Sequence, residues 1–356
     1  MNDFKPGLEG VVAFETEIAE PDREGGSLRY RGVDIEELVG HVPFEKVWGL
    51  LVDESLEPGL PVEHPELEIR TGSTMADLQA SLSILAGRWG LKQLIDIDDR
   101  EARDNLARLS ASTLAIVAQS ARGDRPPVDV SIVAQGKTAA ERFLLAWRGE
   151  RDERHAKALD TYWICTAEHG LNASTFTARI AASTGADCGA CMSAAVGTLS
   201  GPLHGGAPAR VLPMLDAVAE AGDPARWVKD ALDRGERIMG FGHRVYRAED
   251  PRARLLRRTA KELGAPRFEV AEKLEEAALA ELRVRSPDRV LATNVEFWSA
   301  VVLDVADIPP ALAPAMFACS RTAGWSAHVL EQKTLGRLVR PSARYVGPGE
   351  RTLSSL

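Results

Sequence analysis

The sequence predicts a mostly α-helical protein of two domains with a minor β element near its N-terminus. Three observations carry that expectation. Apolar residues recur at spacings of three and four through most of the chain from Ile35 onward. Strands and helices do not alternate, which argues against a doubly wound sheet. With 356 residues the chain is long enough to divide its core between two units.

Residues 7–34 open with Gly-Leu-Glu-Gly-Val-Val and close with Leu28-Arg-Tyr-Arg-Gly-Val-Asp34. These short β-favouring runs broken by glycine predict a hairpin or strand pair. Ile35–Leu38 and Phe44–Val52 then switch to helical spacing, and Leu78–Leu85 and Leu106–Ala121 continue it. The Ala/Leu content of the last segment adds helix propensity. Gly123-Asp-Arg-Pro-Pro127 is a break, and residues 138–167 read as two helices separated near Gly149. From Ala173 to Ser200, 19 of 28 residues are Gly, Ala, Ser or Thr. Small side chains allow close approach, so Asn172–Ser200 reads as a buried or interfacial helix. Ala209–Ala221 and Pro224–Arg234 are amphipathic, and Leu255–Leu263 and Val270–Leu282 are helical and highly charged. Apolar helix returns at Val301–Ala306 and Pro310–Leu330, before a tail containing Arg340-Pro and Tyr345-Val-Gly-Pro348.

Composition narrows the function classes. Apolar content of 45% and charged content of 27% are those of a soluble globular chain. A net charge of -9 argues against a nucleic-acid-binding surface. The polar, acidic first 20 residues predict no secretory signal. The apolar run Ser299–Ala318 is cut by Asp304, Asp307 and three prolines, so no membrane span is expected. Four cysteines make no disulfide framework, and the expected setting is the cytoplasm. Cys188 and Cys191 form a lone CxxC in a small-residue helical pattern, and packing thiols are the better reading there. Asn172-Ala-Ser174 fits a glycosylation acceptor, which is set aside for a chain without a secretion signal.

The chemistry gathers around Ser200-Gly-Pro-Leu-His204-Gly-Gly-Ala207. Taken alone this is equally well a capped helix end with an incidental histidine. Its glycines, however, let a ligand approach the backbone, and two further histidines stand in comparable settings. His169 lies in Glu168-His169-Gly-Leu-Asn172, and His243 lies in Gly240-Phe-Gly-His243-Arg. His41, His64 and His155 sit in polar surroundings and receive no role, while His328 reads as a buried or interfacial helix residue.

Glu168-His169-Gly-Leu-Asn172-Ala-Ser-Thr-Phe, Gly201-Pro-Leu-His204-Gly-Gly-Ala, Gly240-Phe-Gly-His243-Arg-Val-Tyr-Arg247 with Asp250-Pro-Arg252, and Asn294-Val-Glu296-Phe together resemble the signature segments of citrate synthases. The Tyr30-Arg-Gly-Val-Asp34 element and the Arg340-Pro tail match as well, so the likeness spans nearly the whole chain. The length resembles the short, dimeric bacterial type. The resemblance implies a two-domain all-α homodimer, with a large domain of 1–207 and 312–356 and a mobile small domain of 208–311. It further implies condensation of acetyl-CoA with oxaloacetate, followed by hydrolysis of the citryl thioester, without a metal or other cofactor. By the same resemblance His204, His243 and Glu296 are catalytic. His169, Arg252, Arg321 and the partner subunit's Arg340 would bind oxaloacetate, which suits a substrate with two carboxylates. Met239, Gly240, Phe241, Gly242, Arg247 and Asn294 would contact CoA.

The residue types fit the task. A thioester methyl is a weak acid, so its base needs a partner that stabilises the enolate oxygen. Histidine and a carboxylate do such paired work near neutral pH. One departure stands out: Glu296 occupies the place where the family usually has aspartate. An extra methylene moves the carboxylate by about an ångström, and misplacement on that scale can cost about 100-fold in rate. Asp304, eight residues on, is a poor substitute. Citrate synthase, 2-methylcitrate synthase using propionyl-CoA, and a weakened paralogue that binds CoA or oxaloacetate all remain open at this point. A helical-repeat scaffold is disfavoured, since no period of about 30–50 residues is visible.

Overall fold

In a computed structural model the structure describes residues 4–22, 26–205, 210–242, 249–287 and 291–355. Three short antiparallel strands come first: β1 (Ala19–Asp22), β2 (Ser27–Tyr30) and β3 (Val33–Asp34), in the order β1-β2-β3. Ala19 pairs with Tyr30, and Arg29 with Asp34. The β element therefore starts at residue 19 rather than 7. The Gly-rich segment before it carries only a 3-10 turn at Pro6–Leu8.

The helices follow: α1 (Ile35–Leu38), α2 (Phe44–Asp53), α3 (Thr74–Arg88), α4 (Asp99–Ala121), α5 (Val130–Val133), α6 (Ala139–Arg148) and α7 (Glu153–Thr166). Then come α8 (Ala173–Ser183), α9 (Cys188–Leu199), α10 (Val211–Ala221), α11 (Pro224–Asp233), α12 (Pro251–Glu262), α13 (Phe268–Arg285), α14 (Val295–Val305) and α15 (Ala313–Leu335). Side-chain caps explain many of the starts. Asp98 accepts from Glu101 N at 2.7 Å, Asp152 from His155 N at 2.9 Å and Asp187 from Ala190 N at 3.0 Å. The 138–167 segment divides at Gly149, whose φ of 85° ends α6 in the left-handed cap that glycine adopts without strain.

The small-residue stretch is two helices, not the single one its composition suggests. Gly185, at φ 79°, turns the chain between α8 and α9, and Asp187 restarts it. The two helices pack on each other and α9 packs on α3, so the small side chains do serve close approach. At the centre lies α15, buried along most of its length and in contact with α2, α4, α7, α8 and α9. It buries Ser320, Arg321, Thr322, Ser326 and His328 as well as apolar residues. Buried polar groups of this kind require internal partners, and several lie at the candidate site. Helices α10, α11 and α13 pack on one another, while α12 and α14 join this group to α7.

No described helix is long and apolar enough to cross a membrane. All four cysteines are free and buried. Burial pushes the Cys188 thiol up to about 12 and Cys191 also upward. Their sulfurs donate to Ala102 O at 3.7 Å and Ala186 O at 3.8 Å, which is packing rather than thiolate chemistry.

Candidate active site

The site begins where α9 ends. After Ser200 the backbone turns tightly, with His204 N donating to Gly201 O at 2.9 Å and Gly205 N to Leu199 O at 3.1 Å. A Cβ at Gly205 would stand 2.4 Å from the Leu199 carbonyl oxygen, so glycine is required here to let the turn close. The turn delivers His204 to the N-terminus of α8. There Asn172 caps the helix, its Oδ1 accepting from Thr175 N at 3.1 Å and from Ser174 Oγ at 2.9 Å. Ser174 N donates to His204 Nε2 at 3.4 Å, and Ser174 Oγ lies 2.9 Å from the same nitrogen. The amide can only donate, so its contact fits Nε2 as acceptor with the imidazole proton on Nδ1, while the Ser174 hydroxyl gives its one proton to Asn172 and lies beside the same nitrogen. Trp325 of α15 completes the cluster, its Nε1 donating to Ser174 Oγ at 3.2 Å. Burial, aided by the nearby Arg321 charge, lowers the His204 pKa to about 4. At pH 7 the ring is neutral and offers one fixed donor.

Two cations and two carboxylates share the neighbouring interior. Arg321, on α15, is 3% exposed, with Nε and Nη1 lacking hydrogen-bond partners among the described residues. Its guanidinium carbon stands 4.8 Å from the centre of the Phe317 ring. Burial lowers its pKa, opposed by the charge of Glu168 and reinforced by that of Arg252. Arg252 opens α12 and is also buried. Its Nε and Nη2 reach the two oxygens of Asp250 at 2.9 and 2.8 Å. Asp250 caps the same helix, accepting from Arg252 N at 3.0 Å, so cap and guanidinium are fixed by one carboxylate. Glu296 lies in the first turn of α14, and its Oε2 is buried with no hydrogen-bond partner among the described residues. Burial raises its pKa, partly offset by Arg252 and Arg321. Asp304 instead takes both contacts from Arg267 at 2.8 Å, which removes it as an alternative base.

His169 is half-buried and follows directly after Glu168, beyond the end of α7. Tyr30 of β2 secures this corner: its hydroxyl donates to Ile164 O at 2.9 Å and accepts from Glu168 N at 3.3 Å. The small sheet thus holds a site loop in place.

The 239–242 loop is tied to the start of α14. Gly242 N donates to Ala292 O at 2.8 Å, and Asn294 N to Gly240 O at 2.9 Å. Asn294 caps α14 by accepting from Glu296 N at 3.2 Å and donates from its amide to Gly242 O at 3.0 Å. Gly240, at φ 92°, approaches Phe297 so closely that a Cβ would lie 2.6 Å from the Phe297 Cβ. Phe241 packs on Phe297 with ring centres 5.3 Å apart and planes tilted by 52°, and Met239 packs against the core beside it. One residue, Asn294, therefore positions both the loop and the Glu296 backbone.

Not every expected residue joins this cluster. His243 and Arg247 lie outside the described residues. Arg340 is exposed on the C-terminal tail and lines a surface groove with Leu8, Val11, Phe14, Phe176 and Leu338. None of these belongs to the cluster around His204 and Arg321. Residue patterns also passed over Ser174, Trp325, Phe317 and Glu168. Ser174 and Glu168 lie within the signature segments but carry no mark of a role there, whereas Trp325 and Phe317 carry no local signal and arrive through the packing of α15.

The geometry gathers two buried arginines, a neutral histidine and a desolvated carboxylate in one interior. A family model described as "Citrate synthase, C-terminal domain" matches residues 7–342. "Putative citrate synthase 2" of Mycobacterium tuberculosis is 61% identical, over 99% of this chain and 96% of its own length. A 2-methylcitrate synthase of Shewanella oneidensis is 31% identical, over 97% of this chain and 95% of its own. The solved ternary complex of carboxymethyl coenzyme A and oxaloacetate with citrate synthase from Thermoplasma acidophilum superposes with a TM-score of 0.82 at 27% identity, covering 98% of each chain. The chain belongs to the citrate synthase family and is an acyl-transferring enzyme.

Proposed function

We propose that this chain condenses acetyl-CoA with oxaloacetate and water to give citrate and CoA. The observation that carries the reading is the neutral His204 ring, with Nε2 against Ser174, in one interior with the buried Glu296 carboxylate, whose Oε2 has no hydrogen-bond partner among the described residues, and the open edge of Arg321. His204 donates from Nδ1 to the thioester oxygen as Glu296 takes a methyl proton. The enolate carbon then bonds to the keto carbon of oxaloacetate. His243 gives a proton to the former ketone oxygen, and water releases CoA from the citryl thioester. A neutral donor suits an enolate oxygen because its hydrogen bond strengthens as charge develops there. Arg252, Arg321 and His169 receive the oxaloacetate carboxylates. Met239, Gly240, Phe241, Gly242, Arg247 and Asn294 form or support the CoA end. All the chemistry named is acid–base and ion-pair chemistry, so the reading calls for no cofactor beyond the two substrates.

The assembly belongs to the same proposal: a cytoplasmic homodimer in which Arg340 completes the partner's site, with residues 208–311 moving as a small domain. The exposed tail that carries Arg340, together with Val12, Leu338, Tyr345 and Val346 standing exposed around it, supports a second copy of the chain as the cover. A propionyl-CoA reading is favoured by one observation, the likeness to the Shewanella enzyme. One methylene in an acyl pocket is worth only about 1–3 kcal/mol. Thiol release from acetyl-CoA and propionyl-CoA, each with and without oxaloacetate, separates the readings. We expect release that depends on oxaloacetate and a higher kcat/KM with acetyl-CoA. A higher value with propionyl-CoA makes it a 2-methylcitrate synthase, and no release from either makes it a binding paralogue.

A further inference from the structure

Glu168 is fully buried, yet neither carboxylate oxygen has a hydrogen-bond partner among the described residues. Leaving a carboxylate so placed is costly unless charge nearby compensates it. The surroundings explain how it is tolerated. Arg321, Gly324 and His328 follow one another at three and four residues, so they share a face of α15. Gly324 makes a notch in that face. A Cβ there would stand 1.9 Å from Glu168 Oε2 and 2.8 Å from Ala167 O, and Gly324 N donates to the same Ala167 oxygen at 3.2 Å. The carboxylate seats in the notch against His328, with Arg321 one turn before Gly324 on the same face of α15.

His328 is held from behind. Arg179, itself fully buried, donates to His328 Nδ1 at 2.9 Å and to Gln332 Oε1 at 3.1 Å, and pairs closely with Glu331. Because a guanidinium only donates, His328 Nδ1 is the acceptor and its Nε2 faces Glu168 Oε1, 3.4 Å away. Glu331 in turn receives Thr16 Oγ1 and Glu17 N, each at 3.1 Å. The row Arg321–Glu168–His328–Arg179–Glu331 alternates in chemical character and runs from the substrate site to the strand-side surface. Nothing in the acid–base scheme uses its inner members.

We propose that Glu168 is a positioning residue for substrate recognition: seated in the Gly324 notch and backed by His328, it compensates the buried Arg321 charge and leaves that guanidinium free to meet a substrate carboxylate. Arg321 keeps Nε and Nη1 uncommitted because Glu168 compensates its charge without taking its hydrogen bonds. A direct fork such as Arg252 makes with Asp250 would use those donors up. This assignment rests on the oxaloacetate reading of the site.

Glu168→Gln keeps the shape and removes the charge. Isothermal titration with oxaloacetate alone, followed by steady-state kinetics, tests the proposal on the whole protein. The expected result is at least a tenfold weaker oxaloacetate Kd and a matching rise in its KM. The KM for acetyl-CoA at saturating oxaloacetate should stay within about twofold, and Glu168→Asp should recover part of the affinity. Oxaloacetate binding by Glu168→Gln within twofold of wild type overturns it, as does an equal loss for both substrates, which is the mark of a merely structural role. Should Glu168→Gln not fold, His328→Gln removes the backing instead, and the same thresholds decide. Absence of oxaloacetate binding by the wild-type protein fails the reading of the site itself, before any variant is compared.

Discussion

Glu296 carries a cost in the free protein that follows from its surroundings. Its carboxylate is desolvated and one oxygen lacks a partner among the described residues, so its pKa is raised by burial above that of the unfolded chain. The folded state therefore binds the proton more tightly. Stability from this group is present at low pH and is lost as pH rises from the unfolded value through the folded one. Above that window the penalty is constant. Glu296→Gln should thus be more stable than wild type at pH 8, with the difference shrinking toward pH 4. Chemical denaturation at the two pH values reads it, and equal midpoints at pH 8 would mean the carboxylate is compensated after all. His204 has the opposite sign. Its folded pKa lies below the unfolded one, so its contribution falls as pH drops from about 6.5 toward about 4. An ionised base and a neutral imidazole occur together only above both folded-state pKa values, and the raised one, that of Glu296, sets the lower limit when it lies above that of His204.

At the scale of elements, the site is made by helix ends. His204 leaves α9, Ser174 opens α8 under the Asn172 cap, Glu296 opens α14 under Asn294, and Arg252 opens α12 under Asp250. Part of this was legible in the sequence, because glycines flank His204 and the 240–242 loop and the capping residues Asn172, Asp250 and Asn294 stand in the signature segments, whereas Arg321, in the middle of α15, has no such neighbour. The sequence reading of Asn172–Ser200 as one helix missed the turn at Gly185, since small-residue composition reports close packing but not where a helix stops. The reach of α15 was hidden for a different reason. Trp325, Phe317 and the Gly324 notch act through contacts more than a hundred residues away in the chain, which no local pattern records. Arg340 illustrates the same limit: its position on an exposed tail follows from the chain, but its role depends on a partner surface. The Asn294 junction can be tested directly. Asn294→Ala removes a cap worth about 0.5–2 kcal/mol and also the bond to Gly242 O. Its stability should fall by that amount, and the KM for acyl-CoA should rise several-fold more than the KM for oxaloacetate. An unchanged acyl-CoA KM in a destabilised variant would confine Asn294 to capping.

For the whole molecule, the proposal places each site across two copies. If Arg340 crosses to the partner, Arg340→Ala and His243→Ala are each inactive alone. Their heterodimer has one site with both residues intact, as an isologous pair requires. Mixing the two variants should restore activity to half of the heterodimer's sites once exchange is complete. No recovery after confirmed exchange would put Arg340 in its own subunit's site or outside any site. Substrate-driven closure of residues 208–311 should appear in the same preparations as tighter acyl-CoA binding once oxaloacetate is present. The central claim is narrower than either: that Glu296, one methylene longer than the family's usual aspartate, removes the methyl proton beside a neutral His204. The direct measurement is exchange of acetyl-CoA methyl protons into deuterated water, with a non-reacting oxaloacetate analogue bound. Wild type should exchange, and Glu296→Gln should exchange about 100- to 10,000-fold more slowly while binding the analogue equally well. Exchange by Glu296→Gln at the wild-type rate would contradict the account, and another group would then be the base.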